Sequence, residues 1–203
     1  MPPARSPVAI EKRNARSLME SLRGQLLIAS PSLTDPNFAR TVVLVASHAD
    51  TGALGLVLNH ELDSDLTEIW SRISSEPCVR PEKIRHGGPV PGTLMALHDR
   101  RPLANLVVTD DLYVATELNA MEALASSDEG RAFFFVGHSG WGPGQLEYEI
   151  QEGSWLLAPA TAEHAFGDRD AFSLWKAATT EAGRREIQAL IEPRHIPDDP
   201  RSN

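Results

Sequence analysis

Gly137-His138-Ser139-Gly140-Trp141-Gly142-Pro143-Gly144-Gln145-Leu146-Glu147-Tyr148-Glu149-Ile150 follows the apolar run Ala132 to Val136, with four glycines in the eight positions 137 to 144. Glycine loses more backbone freedom on folding than any other residue. Such density is used where φ must be positive or two backbones approach closely. The stretch reads as strand, tight loop, helix. Pro143 takes a favoured first helical position and Gly153 a favoured position just past the end. Such a loop can aim backbone N–H groups at a ligand from a helix N-terminus, and it can equally be a packing solution with no ligand.

On either side of this stretch strands and helices alternate. Residues 9 to 22 place Ala15, Leu18, Met19 and Leu22 at helical spacing, which predicts an amphipathic helix. Gly24 breaks it, and Gln25 to Ala29 reads as a strand. A two-proline loop from Ser30 to Phe38 follows, then β-rich runs Thr41 to Ser47 and Ala53 to Asn59 joined as a hairpin. Ser64 or Asp65 is placed to cap a short helix with Leu66, Ile69, Trp70 and Ile73 on its core face. Pro77 to Pro81 reads as a linker, and Lys83 to His86 leads into Gly87-Gly88-Pro89. Strands are expected near Thr93 to His98, Ala104 to Thr109 and Asp111 to Ala115. A helix from Thr116 carries Leu118, Met121 and Leu124 on one side. Trp155 to Ala158 is the last strand and Asp170 to Ala182 the last helix, with a proline-rich charged tail from Pro193.

The 203 residues are 41% hydrophobic and 23% charged, enough to close the core of one generous domain. No run reaches the roughly 18 apolar residues of a membrane span. The N-terminus lacks an apolar stretch before a small-residue cleavage site, and the single Cys78 suits a reducing compartment, so a cytoplasmic location is expected. The net charge of −9 disfavours attraction to DNA phosphates, despite arginines at 5, 13, 16 and 23.

Four ordered blocks resemble the YqgE/AlgH family. They are Gly24-Gln25-Leu26-Leu27-Ile28-Ala29-Ser30-Pro31-Ser32-Leu33 continuing through Asp35-Pro36-Asn37-Phe38-Ala39-Arg40-Thr41-Val42; Gly52-Ala53-Leu54-Gly55-Leu56-Val57-Leu58-Asn59; Gly87-Gly88-Pro89-Val90; and Gly140-Trp141-Gly142-Pro143-Gly144-Gln145-Leu146-Glu147. The resemblance implies an α/β fold of the α+β type: a large, twisted, partly bifurcated mixed sheet, curled toward a pseudo-barrel and flanked by helices. Some family members are labelled transcriptional regulators, and no catalytic residues or cofactor are established for the family. The expected organisation is a helical extension over 1–23, one domain over 24–182, and a partly disordered tail over 183–203. The chain departs from the family pattern at His138-Ser139 and in a short Val90-Pro91-Gly92-Thr93 stretch.

Sharper chemistry is weighed against this background. Gly137-His138-Ser139-Gly140 approaches a nucleophile elbow, and Ser139, Asp168, His195 fall in the hydrolase order, but Trp141 holds the place of the elbow's last glycine. The glycines fit neither dinucleotide nor P-loop spacing, and Glu147, Glu149 and Glu152 rather than a lysine follow the loop. Seven scattered histidines form no i, i+4 pair, and Cys78 has no partner cysteine, so no metal site or cofactor is expected. Asp35 and Asn37 can staple their own loop, Phe38 can plug it into the core, and Arg40 can pair with Asp35 or reach an acidic ligand.

The candidate ligand-binding set is therefore Pro31, Asp35, Asn37, Phe38 and Arg40, then His86, Gly87 and Gly88, then Gly140, Trp141, Gly142 and Gln145. The leading reading is a regulatory or binding protein without catalysis, acting on an unidentified small molecule or protein, with no direct nucleic-acid or membrane contact. The alternatives are a hydrolase using Ser139 or an acid–base pair drawn from Asp35, His86 and Glu147, and a DNA-binding regulator.

Overall fold

Adjacent aliphatic residues such as Leu26-Leu27-Ile28 and Val42-Val43-Leu44-Val45 are all fully buried, because successive side chains of a strand point to opposite faces and both faces are covered. In the computed structural model, which describes residues 21–191, these runs form β1 (Gln25–Ala29) and β2 (Val42–Ala49). Then come β3 (Gly52–Val57), β4 (Glu61–Asp65), β5 (Lys83–His86), β6 (Val90–His98) and β7 (Leu106–Val107). The series closes with β8 (Tyr113–Ala115), β9 (Ala132–Trp141) and β10 (Trp155–Pro159). Among the described residues five α-helices flank them: α1 (Leu66–Trp70), α2 (Leu118–Ala125), α3 (Gln145–Gln151), α4 (Ala162–Phe166) and α5 (Ala171–Ile191).

The ten described strands make one open sheet, eight of them in the order β10-β1-β2-β3-β9-β6-β8-β7 with β5 and β4 branching off that path. The branch lies on β9. One edge pairs with β6; the other is shared, with Phe135 and Val136 parallel to Arg85 and His86 of β5, and Ser139 to Trp141 antiparallel to Gly55 to Ala53 of β3. β5 in turn holds β4. This is the bifurcation the family resemblance implies, and β5–β9 is the one parallel pair among the described strands. The sheet curls without closing, so that Val108 and Leu112 join Leu26, Val42 and Leu44 in one core beneath Leu174, Ala178 and Ala182 of α5. The opposite face carries Leu27, Val43, Val45 and Val57 against Trp141, Leu146 and Trp155. A third cluster packs Leu66 and Trp70 of α1 and Met121 and Leu124 of α2 on Ile84 and Phe134.

Several elements differ from expectation. The glycine segment is not a loop: β9 continues through Gly137 to Trp141, and only Gly142 to Gly144 turn the chain. Ladder pairing to β3 outweighs the local glycine content, and Gly137, at φ 73°, sits where the pairing to β6 shifts register between Val90 and Leu94, the extra residues lying on β6. The following helix starts at Gln145 rather than Pro143. Asp65 does precede α1, but its side chain makes no capping bond, and Ile73 lies beyond the helix end at 40% exposure. Of the α2 set, Met121 and Leu124 are buried while Leu118 is exposed. β6 starts earlier than expected, at Val90, and the 104–109 strand shrinks to two residues. α5 runs past Gly183 to Ile191. The helix expected over 9–22, the tail from Pro193 and His195 lie outside the described residues, save Ser21 and Leu22. No described helix is long and apolar enough to cross a membrane.

Candidate functional site

The loop between β1 and β2 is self-stapled, as its sequence suggests. Asp35 Oδ1 accepts the Asn37 N–H at 2.8 Å, the Asp35 carbonyl accepts the Ala39 N–H at 2.7 Å, and Thr41 Oγ1 donates to the Phe38 carbonyl at 2.8 Å. Asn37 and Pro31 stay exposed. Arg40 has φ 59°, the one non-glycine residue in the left-handed region among the described residues. That turn drives Phe38 inward, where its ring stacks on Trp141 at 6.2 Å and meets Trp155 edge-on at 5.4 Å. Both indoles donate to one oxygen, Glu149 Oε2, at 2.9 Å each. Gln145 Nε2 donates to Glu149 Oε1 at 2.9 Å, and Gln145 Oε1 accepts the Gly142 N–H at 3.0 Å. Phe38, Trp141, Gly142 and Gln145 therefore belong to one assembly. Glu149, its central acceptor, stood out in sequence only as one of three acids that follow the loop.

His86-Gly87-Gly88 crosses over β9. The Gly87 carbonyl accepts the Val57 N–H at 2.9 Å and Ser139 Oγ at 3.3 Å. Gly88 lies so close that a Cβ would stand 2.3 Å from Ser139 Oγ and 2.4 Å from its nitrogen. Ser139 is fully buried in mid-strand, not raised on an elbow. The His86 ring faces His60 edge-on at 5.2 Å; burial, then the neighbouring His60, lowers its pKa. Gly140 is exposed beside Val90 and His138, on the face opposite Trp141.

A cleft of about 330 Å³ opens between the end of β3, β5 and the α4–α5 connection. Its walls include Asn59, His60, Glu61 and Arg85 on the sheet side, and Arg169 and Asp170 on the helix side. None of the twelve residues singled out in sequence lines it. The β1–β2 loop nevertheless backs onto it through Asn59, whose Nδ2 donates to the Arg40 carbonyl at 2.9 Å and to the Ala171 carbonyl at 3.0 Å. Its Oδ1 accepts the Val42 N–H at 2.9 Å. Arg40 does not pair with Asp35; its guanidinium sits 5.9 Å from the Phe172 ring. Arg85 lies flat on Phe133, Cζ 3.6 Å from the ring centre, with Nη1 donating to the Leu58 carbonyl at 2.7 Å. Its Nη2 meets the exposed Glu61 carboxylate at only 3.4 Å, and its buried Nε has no partner. Burial lowers the Arg85 pKa, and Glu61 partly offsets that. Sequence offered no stronger signal for Arg85 than a charge alternating with Ile84 on a short strand. No group of three or more metal-ligating side chains occurs among the described residues.

The glycine crossing joins the second and third sequence blocks, the aromatic assembly the first and fourth, and the Asn59 tie the first and second, and comparison with known proteins agrees. A family model described as AlgH-like (DUF179) matches residues 26–186. The chain belongs to the AlgH-like family. A UPF0301 protein of Xanthomonas campestris pv. campestris is 37% identical over 169 residues, covering 80% of this chain and 89% of the relative. One from Ruegeria pomeroyi is 37% identical over 178 residues, covering 84% and 95%. The solution structure of the AlgH protein from Pseudomonas aeruginosa superposes with a TM-score of 0.68 at 27% identity, covering 96% of this chain and all of that one. A Corynebacterium diphtheriae crystal structure shares the fold at a TM-score of 0.65 and 24% identity. The UPF0301 relatives carry no stated activity.

Proposed function

We propose that this AlgH-like protein is a non-catalytic binding protein that holds a small molecule, or a side chain of a partner, in the cleft between β5 and the α4–α5 connection. The supporting observation is the cleft itself: concave, about 330 Å³, with polar groups convergent on a partly apolar floor and held by packed secondary structure. Occupancy has a route to the molecular surface, since Asn59 ties the cleft wall to the exposed Arg40 turn. The residues an enzyme would need are engaged apart from one another. Glu147 pairs with His48 at 2.7 Å, Asp35 with its own loop, His86 with His60, and Ser139 with the Gly87 carbonyl. A cytoplasmic setting fits the lone, half-buried Cys78.

Two-dimensional amide NMR with a chemically mixed set of small molecules tests the reading. Perturbations are expected to gather at residues 58–61, 85 and 165–171; a set confined to other surfaces, or none, refutes the site. In parallel, fluorophosphonate treatment followed by intact-mass measurement is expected to leave the chain unmodified. A stoichiometric adduct on Ser139 would promote the hydrolase instead.

A further inference from the structure

We infer that the group this cleft takes is an oxyanion, a carboxylate or a phosphate, held by the guanidinium groups of Arg85 and Arg169. The inference rests on the binding reading above and adds the chemistry of the ligand. Arg85 has 12% of its side chain exposed, clamped between the Phe133 ring and the Leu58 carbonyl, yet it lines the cleft. A cation taken that far from water needs a close counter-charge. Glu61 supplies a poor one, at 3.4 Å from a side chain that is 58% exposed. Neither Nε nor the remaining Nη hydrogens find the bidentate partner that a guanidinium fork fits. Across the cleft Arg169 reaches, among the described residues, only the exposed Glu163, at 3.5 Å. The other acid of the wall, Asp170, is occupied: its Oδ1 accepts the N–H groups of Phe172 and Ser173, closing the first turn of α5. Two under-used guanidiniums thus face a cavity whose carboxylates are either splayed outward or already bonded. A small oxyanion can replace the Glu61 contact, whereas a cation would have to sit beside two guanidiniums and compete with them and with the first turn of α5 for the carboxylates.

The test is an NMR titration of the full chain at low ionic strength with sodium acetate, inorganic phosphate, acetamide and methylammonium chloride, against a sodium chloride control. Acetate or phosphate is expected to shift amides around 85–86 and 167–171 saturably, with millimolar affinity that weakens as salt rises. Acetamide, the neutral isostere of acetate, should bind about tenfold more weakly or not at all. Whichever of acetate and phosphate binds more tightly identifies the oxyanion. Arg169→Gln, at an exposed position, should weaken the better anion several-fold with an unchanged unfolding midpoint. Arg85→Lys should keep the charge but lose most of the gain over acetamide. Acetamide matching acetate would overturn the oxyanion while leaving the cleft as a binding site, as would a preference for methylammonium. No saturable shift by either anion, with the mixed set still perturbing the cleft, also overturns the oxyanion alone.

Discussion

Gly88 and Gly137 show what a motif glycine does here. Gly88 sits at φ 147° with no room for a methyl group against Ser139, and a Cβ on Gly137 would stand 2.9 Å from the Gly88 carbonyl. The two backbones cross where any side chain would push them apart. Gly88→Ala is expected to cost about 3 kcal/mol or more, read by urea denaturation. Gly142, by contrast, meets only Gln145 Oε1, at 3.8 Å, and has no positive φ. The constraint its motif position suggests is absent, and Gly142→Ala should stay within about 0.5 kcal/mol of the parent. Glu149 carries a different load. Its replacement by alanine leaves two partly buried indole N–H donors without an acceptor, at a cost of about 2 to 4 kcal/mol. Glu149→Gln, which keeps one acceptor oxygen, should lose less. Equal losses in the two variants would show that the carboxylate is not the centre of the assembly.

At the level of elements, His98 ends β6 fully buried, its Nδ1 accepting the Arg100 N–H at 3.2 Å and its Nε2 without a partner. Burial pushes its pKa down to about 4 from 6.5, with Asp99 opposing the shift. Between those values the unfolded chain takes up a proton that the folded chain refuses. Stability therefore falls as the pH drops through this window, by up to roughly 3 kcal/mol, and levels off for this group below it. Subtracting the pH profile of His98→Asn from that of the parent should isolate the effect. A flat difference between pH 6.5 and 4 would show that His98 does not carry it. Elements with a strong period were legible in sequence: β1, the β2–β3 hairpin, Met121 and Leu124 of α2, and the start of α5. What was not legible depends on distant pairing. Nothing local tells that Gly137 to Trp141 stays extended, because the partner that holds it there is β3, more than eighty residues earlier. The motif loops were found, but not that Phe38 of one meets Trp141 of the other. The cleft was not, since Arg85, Asn59 and Arg169 come from three separate segments and match no motif.

Across the whole molecule, the −9 charge and the absence of a basic recognition helix among the described elements predict no salt-sensitive binding to duplex DNA at physiological ionic strength. Fluorescence anisotropy on a labelled duplex checks this, and a steep loss of binding with added salt would contradict it. The branched role of β9 has a consequence for biogenesis. During synthesis the free edge of β3 must wait for Ser139 to Trp141 to leave the ribosome, and that of β1 for Trp155 to Pro159. For most of translation the nascent chain therefore carries two open, strongly apolar strand edges, the kind of surface that recruits holdase chaperones or seeds aggregation. A chain arrested at Arg131 should need such protection to stay in solution. One arrested with both strands clear of the exit tunnel should not.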